Sequence, residues 1–150
     1  MKHAIRLTFL EGTKLCLLFS DGVNKIYDVM VLAKKYPQIK ALKNRKLFTS
    51  GILLGTSGIY WNDDLDLDVE SVYEFGKTGD TSMEDLSYLL GFHIKQFRKS
   101  ANITQEELAK KVNMDQGDLS RIEKGLANPS LLTISRILKG LDANIDFKIS

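Results

Sequence analysis

The densest run of potential metal ligands is Asn62-Asp63-Asp64-Leu65-Asp66-Leu67-Asp68-Val69-Glu70. A calcium loop needs alternating oxygen ligands, a glycine at its sharp turn and a closing glutamate. Counted from Asp64, the glycine position holds Val69 and the closing position holds Phe75, so the pattern fails. The run reads instead as solvated acids with Asp68 capping a helix, and no metal is expected. Nucleophilic chemistry is equally thin. Cys16, the single cysteine, excludes an intramolecular disulfide and sits in a strand-like run, where a buried, inert thiol is expected. His3 and His93 are isolated, and no Ser/His/Asp set, phosphate-cradling loop or zinc spacing occurs. Trp61 reads as a core residue. The expectation is a non-enzyme without a cofactor.

Composition agrees with a globular chain: 43% hydrophobic and 27% charged residues leave room for both a core and a solvated surface. No apolar run approaches the roughly 20 residues that span a bilayer. Met1 to Leu10 mixes charges with apolar residues and lacks a signal-peptide core, so a cytoplasmic location is expected. Eleven basic residues face ten acidic ones up to Asp80, and ten face nine beyond it, so each half carries +1. Bulk charge is too small for non-specific attachment to nucleic acid. Any such binding must come from where the charges stand.

The two halves differ in period. Ile5, Leu7 and Phe9 alternate with polar residues, Lys14 to Ser20 follows Gly12-Thr13, and Asp21-Gly22 precedes Val23 to Val29. Period-2 spacing broken by glycine turns predicts a three-stranded antiparallel meander. Val31 to Leu42 has helical spacing interrupted by Pro37, which predicts a short helix before the proline and a further turn after it. Ile52 to Leu54 and Ile59 to Trp61 read as strands around Gly55-Thr56-Ser57-Gly58, with a helical turn at Val69 to Tyr73. Gly76 to Thr81 is Gly-rich and polar and reads as a linker.

Beyond that linker the period becomes 3.6. Leu86, Leu90, Ile94, Phe97 and Ala101 would share one helix face. Thr104 and Glu107 form a capping box that starts a second helix, Gln105 to Val112, with Leu108, Ala109 and Val112 inward. Asn113 tolerates the left-handed conformation that ends a helix sharply, Met114 plugs the turn, and Asp115 caps a third helix, Gln116 to Lys124. Leu119 and Ile122 of that helix should face the core, and Gly125 should end it. Asn128-Pro129-Ser130 is a stop and restart, after which Leu131, Ile134, Leu138 and Leu141 supply the inner face of a fourth helix. Two short helices joined by a tight turn make a helix-turn-helix, whose second helix can present its N-terminal residues to base edges in the major groove.

Thr104-Gln105-Glu106-Glu107-Leu108-Ala109, then Leu119-Ser120-Arg121-Ile122-Glu123-Lys124-Gly125, then Asn128-Pro129-Ser130 resemble the lambda-repressor-like (Xre) helix-turn-helix family in residues and in spacing. The resemblance implies site residues. Gln105 stands where family members contact phosphate or a neighbouring base. Gln116 stands at the first base-reading position and could pair with adenine; Arg121, one turn on, could read guanine. Ser120, Lys124 and Asn128 match backbone-contact positions, and Arg98 and Lys99 could add phosphate attraction. Gly117 replaces a residue that often reads a base, and Asp115 and Asp118 put negative charge near the approaching helix end. Glu123 is expected to pair internally with a basic side chain.

Ala143, Ile145, Phe147 and Ile149 alternate with polar residues, a strand pattern that must find a partner. It resembles the C-terminal strand with which antitoxin-type members pair across a dimer; joining the N-terminal sheet of its own chain is the alternative. Leu15, Phe19-Ser20-Asp21-Gly22, Tyr27-Asp28-Val29, Leu47-Phe48, Gly58-Ile59, Trp61, Asp66-Leu67, Glu70 and Val72-Tyr73 resemble a small bacterial domain of unknown function. The expected fold class is therefore α+β: a small antiparallel-sheet domain over residues 1–79, then an all-α lambda-repressor-like helix-turn-helix domain over 80–150 with a C-terminal strand. The expected function is a sequence-specific DNA-binding transcriptional regulator, in one version antitoxin-like. Its expected partners are double-stranded DNA, a second copy of the chain as a homodimer, and a protein or small ligand at the N-terminal domain, with no membrane. The alternative is a protein-interaction module that keeps the helix-turn-helix fold without binding DNA, which Gly117, Asp115 and Asp118 favour.

Overall fold

The computed structural model describes residues 2–146. The chain divides into two compact units, Met1–Ser82 and Met83–Ser150, each with its own apolar core.

In the first unit β1 (Ala4–Phe9), β2 (Lys14–Phe19) and β3 (Asn24–Asp28) form the expected antiparallel meander. Gly22, at φ 85°, makes the second turn possible. β2 is the central strand of this group, and Leu15, Leu17, Leu18 and Phe19 are all buried, so apolar residues fall on both of its faces. Pro37 does not simply break a helix. One 3-10 helix, Val29–Lys34, precedes it, and a second, Pro37–Lys43, begins on it, where the missing N–H costs nothing. A helix the spacing did not foretell follows: α1 (Arg45–Thr49), capped by the Asn44 side chain accepting from the Leu47 amide.

A second sheet contains β4 (Ile52–Leu54), β5 (Gly58–Asn62) and β6 (Leu65–Asp68). The acidic run resolves here into strand alternation. Leu65, Leu67 and Val69 are buried while Asp66 and Asp68 face outward, and Asp68 caps α2 (Val69–Phe75) by accepting from the Ser71 amide at 3.0 Å. The core collects Leu42, Phe48, Ile59 and Val72 beneath the strands, and Trp61 donates its indole N–H to the Phe48 carbonyl at 2.7 Å. Cys16 is half-buried, its Sγ 3.6 Å from the Asn24 amide oxygen.

The linker reading of Gly76 to Thr81 is corrected. Lys77–Gly79 is β7, an edge strand that pairs with Asn24, Lys25 and Ile26 of β3 and makes the first sheet four-stranded. The Asn24 side chain adds a 2.9 Å bond to the Asp80 carbonyl, so the segment belongs to the first unit. Backbone pairing holds it, which is why no apolar period marks it.

The second unit comprises α3 (Met83–Ser100), α4 (Gln105–Lys111), α5 (Gln116–Glu123) and α6 (Leu131–Gly140) around Ile94, Leu108, Ala109, Val112, Leu119, Ile122 and Ile137. The inner face of α3 is the expected one only in part. Ile94 is buried and Leu90 packs on the same core, as expected, but Leu86 and Phe97 are 47% and 49% exposed and Ala101 is exposed, and Gly91 and Arg98 are buried in addition. Gly91 permits this phase: a Cβ there would collide with the Ile122 carbonyl and stand 2.9 Å from that of Glu123, so α5 approaches the α3 backbone directly. In α6 the inner residues are Ile134, Ile137 and Leu138, while Leu131 is 73% exposed. Leu141 to Asp146 form no strand: Asp142 turns at φ 50° and the Ala143 amide bonds back to the Leu138 carbonyl. Phe147 and Ile149, the rest of that alternation, lie outside the described residues.

Candidate nucleic-acid interface

α4 and α5 are joined by the tight turn the sequence predicts. Thr104 accepts from the Glu107 amide at 3.1 Å while Glu107 accepts from the Thr104 amide at 2.7 Å, which closes the capping box. Asn113 adopts φ 52° after α4, and Asp115 caps α5 by accepting from the amides of Gly117 (2.7 Å) and Asp118 (3.3 Å). The Asp115 carboxylate is thus occupied as a helix cap. Thr104→Ala should cost about 1 kcal/mol, read as a lower urea midpoint by circular dichroism. The bonds from Thr104 hold the Glu107 carboxyl below its ordinary value of 4.5. A depressed carboxylate stabilises the fold above its unfolded value, and this is lost as pH falls through the folded one. The stability gap between the parent and Glu107→Gln should therefore close in strong acid.

α5 is held from behind by charge. The Arg98 Nε donates to Glu123 Oε1 at 2.6 Å and its Nη2 to Oε2 at 3.0 Å, with both residues buried. Gln105 donates its side-chain N–H to the same Oε2 at 2.8 Å, and the Arg98 Nη1 donates to the Ile103 carbonyl at 2.9 Å. One carboxylate therefore ties α3, the start of α4 and the end of α5 together. The hydrogen-bonded Glu123 raises the Arg98 pKa further above its already high value. The expected internal partner of Glu123 is Arg98, and Arg98 is withdrawn from the phosphate role expected of it. The cue lay in phase: Arg98 follows Ile94 by four residues, on its face of α3. Gln105 is half-buried, with its amide nitrogen committed to Glu123.

The outward face of α5 follows from helical geometry. With 3.6 residues per turn, Gln116, Ser120, Lys124, Gly117 and Arg121 fall in that order across an arc of about 140°. Leu119 and Ile122, both buried, occupy the opposite side, and Glu123, also buried, borders the arc beside Gln116. Gln116, Gly117, Arg121 and Lys124 are exposed and Ser120 is half-buried, so the structure brings these five residues onto one surface. Asn128 is exposed in the loop before α6, whose first turn is capped by Ser130 accepting from the Thr133 amide. Arg121 reaches only a distant 3.4 Å contact with the Leu126 carbonyl, leaving its guanidinium at the rim of a groove of about 360 Å³. Asn128, Thr133 and Arg136 border that groove, as do Asp115 and Asp118. Lys99 is exposed at the end of α3.

Comparison with known proteins matches a helix-turn-helix family over residues 94–148 and a family described as a protein of unknown function (DUF2442) over residues 4–78. An uncharacterized helix-turn-helix-type transcriptional regulator of Archaeoglobus fulgidus is 43% identical over 53 residues, 35% of this chain and 75% of the relative. One from Methanothermobacter thermautotrophicus is 40% identical over 48 residues, 32% of this chain and 70% of that relative. Among solved structures, a restriction-modification controller protein, crystallised as a tetramer with its natural 35 base-pair operator, aligns with a TM-score of 0.39 at 33% identity, over 42% of this chain and 80% of that one. The chain belongs to the helix-turn-helix transcriptional-regulator family through its C-terminal half, and its N-terminal half is a DUF2442 domain.

Proposed function

We propose that the protein is a sequence-specific DNA-binding regulator of transcription that inserts α5 into the major groove. The observation that carries this reading is the outward arc of Gln116, Gly117, Ser120, Arg121 and Lys124, presented by a helix held from behind by Leu119 and Ile122 and along its edge by the Arg98–Glu123 pair. Gln116 offers an amide for bidentate contact with adenine and Arg121 a fork for guanine. Gly117 removes a side chain between them and lets the backbone come close. Ser120, Lys124 and Asn128 contact phosphates, and Gln105 fixes the start of α4 against them through its bond to Glu123. A cytoplasmic site of action goes with this role; among the described residues no helix is long and apolar enough to cross a membrane.

The protein acts as a homodimer in this reading. Leu131 and Leu132 stand exposed on α6 beside a groove of about 320 Å³ lined by Leu131, Ile134, Leu138, Ala143 and Ile145. Exposed apolar surface of this kind marks association, and a two-fold dimer would read two half-sites.

Asp118 favours the second reading, a protein-interaction module without DNA binding, because its carboxylate borders the groove that Arg121 shares. Titration of random and promoter-derived duplexes at two salt concentrations decides. Salt-sensitive binding to a selected subset supports the regulator; no binding at low salt supports the module. Arg121→Ala should cost about 1–3 kcal/mol on the selected site and flatten the base preference. Equal binding by variant and parent across all sequences would remove Arg121 from the reading surface.

A further inference from the structure

The charges of the first unit are sorted along the chain. From residue 29 to residue 62 there is no aspartate or glutamate, while six cations occur: Lys34, Lys35, Lys40, Lys43, Arg45 and Lys46. The rest of that unit holds ten acidic and five basic residues, so a net charge of +1 conceals +6 on one segment and −5 on the remainder. The segment's cations all stand on the two consecutive 3-10 helices, at Lys35 in the two-residue link between them, and on α1.

Its cations are not all equivalent. The Arg45 Nη1 donates to the Leu10 and Gly12 carbonyls, at 2.6 and 3.0 Å, so this arginine anchors α1 to the first sheet. All five lysines are exposed, and among the described residues none is in an ion pair. In the second 3-10 helix Ile39 and Leu42 point into the core, and Lys40 and Lys43, three apart, stand one above the other on another side. On one border, at Tyr36 and Gln38, the outward carboxylates Asp64, Asp66 and Asp68 of the β5–β6 hairpin begin and limit the basic surface. Lysines that serve solubility are interspersed with acids; an acid-free stretch followed at its edge by an acidic strand is a field of one sign.

We infer that this lysine surface of the DUF2442 domain is a second DNA-binding site, which holds the phosphate backbone of double-helical DNA without reading its sequence. Ammonium groups clustered without carboxylate partners neutralise phosphates and release counterions, and they supply no base discrimination. This rests on the helix-turn-helix reading for the choice of polyanion: a chain brought to DNA by one unit presents the other to phosphates at high effective concentration.

The test uses the full chain, a selected duplex extending well past the site bound by α5, and a variant with Lys34, Lys35, Lys40, Lys43 and Lys46 all changed to Gln. The slope of log affinity against log salt should become shallower by about 0.9 for each phosphate no longer neutralised, roughly 2–4 in all, with the base preference unchanged. Lys77→Gln, an exposed lysine outside the segment, should leave the slope as it is. An unchanged slope in the five-lysine variant, beside a parent that still selects its sequence, overturns the inference and leaves the helix-turn-helix reading standing. So does a Lys77→Gln slope shallower by as much as the whole patch. Lysine-dependent binding of phosphatidylserine vesicles with no change in DNA slope assigns the surface to lipid and also overturns it. A shallower slope in the variant of a parent without base preference keeps the lysine surface and removes sequence reading from α5. If the parent binds no duplex, both fall.

Discussion

Glu123→Ala is expected to cost the second unit about 3–5 kcal/mol, since removing one partner of a buried pair leaves the other charge uncompensated. Arg98 would keep its 2.9 Å bond to the Ile103 carbonyl but lose both bonds to carboxylate oxygens, and Gln105 would lose the acceptor for its side-chain amide. The loss would be read as a drop in the melting temperature of the helical signal by circular dichroism, accompanied by loss of DNA binding as α5 loosens. Replacing the pair together, Arg98→Met with Glu123→Leu, should recover most of the stability, because similar volumes of apolar side chain avoid the desolvation that the pair bears. A single variant as stable as the parent would show that the bonds across α3, α4 and α5 contribute little, and that Gly91-mediated packing positions the helix alone.

Phe48→Ala should destabilise the first unit by a similar amount, about 3–5 kcal/mol. Phe48 is fully buried, meets Phe9 edge-on with ring centroids 4.9 Å apart, and stacks on Trp61 at 6.3 Å. The substitution removes the ring on which the second sheet and the first sheet converge. The backbone carbonyl that receives the Trp61 N–H remains, so the effect measures the cavity and not a lost hydrogen bond. Calorimetry should show it as a transition moved to lower temperature, with the Glu123→Ala transition affected separately because the two cores share no residue. A loss below about 1 kcal/mol would mean that the surrounding side chains collapse into the space.

What is legible in the sequence is local. Thr104 with Glu107, Asn113, Asp115 and Gly125 announce helix ends because each meets its partner within a few residues. The meander is legible because Asp21-Gly22 and Gly12 punctuate a period of two. The departures share a cause: apolar spacing does not by itself mean burial. Leu86 and Phe97 have the right spacing and stay exposed, while Arg98, polar but satisfied by Glu123, takes an inner place on α3. Leu131 departs likewise, lying in the first turn of α6 before the helix meets the core. β7 leaves no signature because Lys77-Thr78-Gly79 is held through its backbone at a sheet edge. The outward surface of α5 is legible as an arc; the commitment of Gln105 to Glu123 is not, because the two are distant in sequence and meet only through folding.

Trp61 is the only tryptophan in the chain, and it is buried in the first core with its N–H bonded to a carbonyl. Its emission is therefore a private channel. It should peak to the blue of a solvated indole and report on the core of the DUF2442 domain. Contact confined to the recognition helix would leave that light unchanged as DNA is added. A change in its intensity or wavelength would mean that nucleic acid had been felt inside that core.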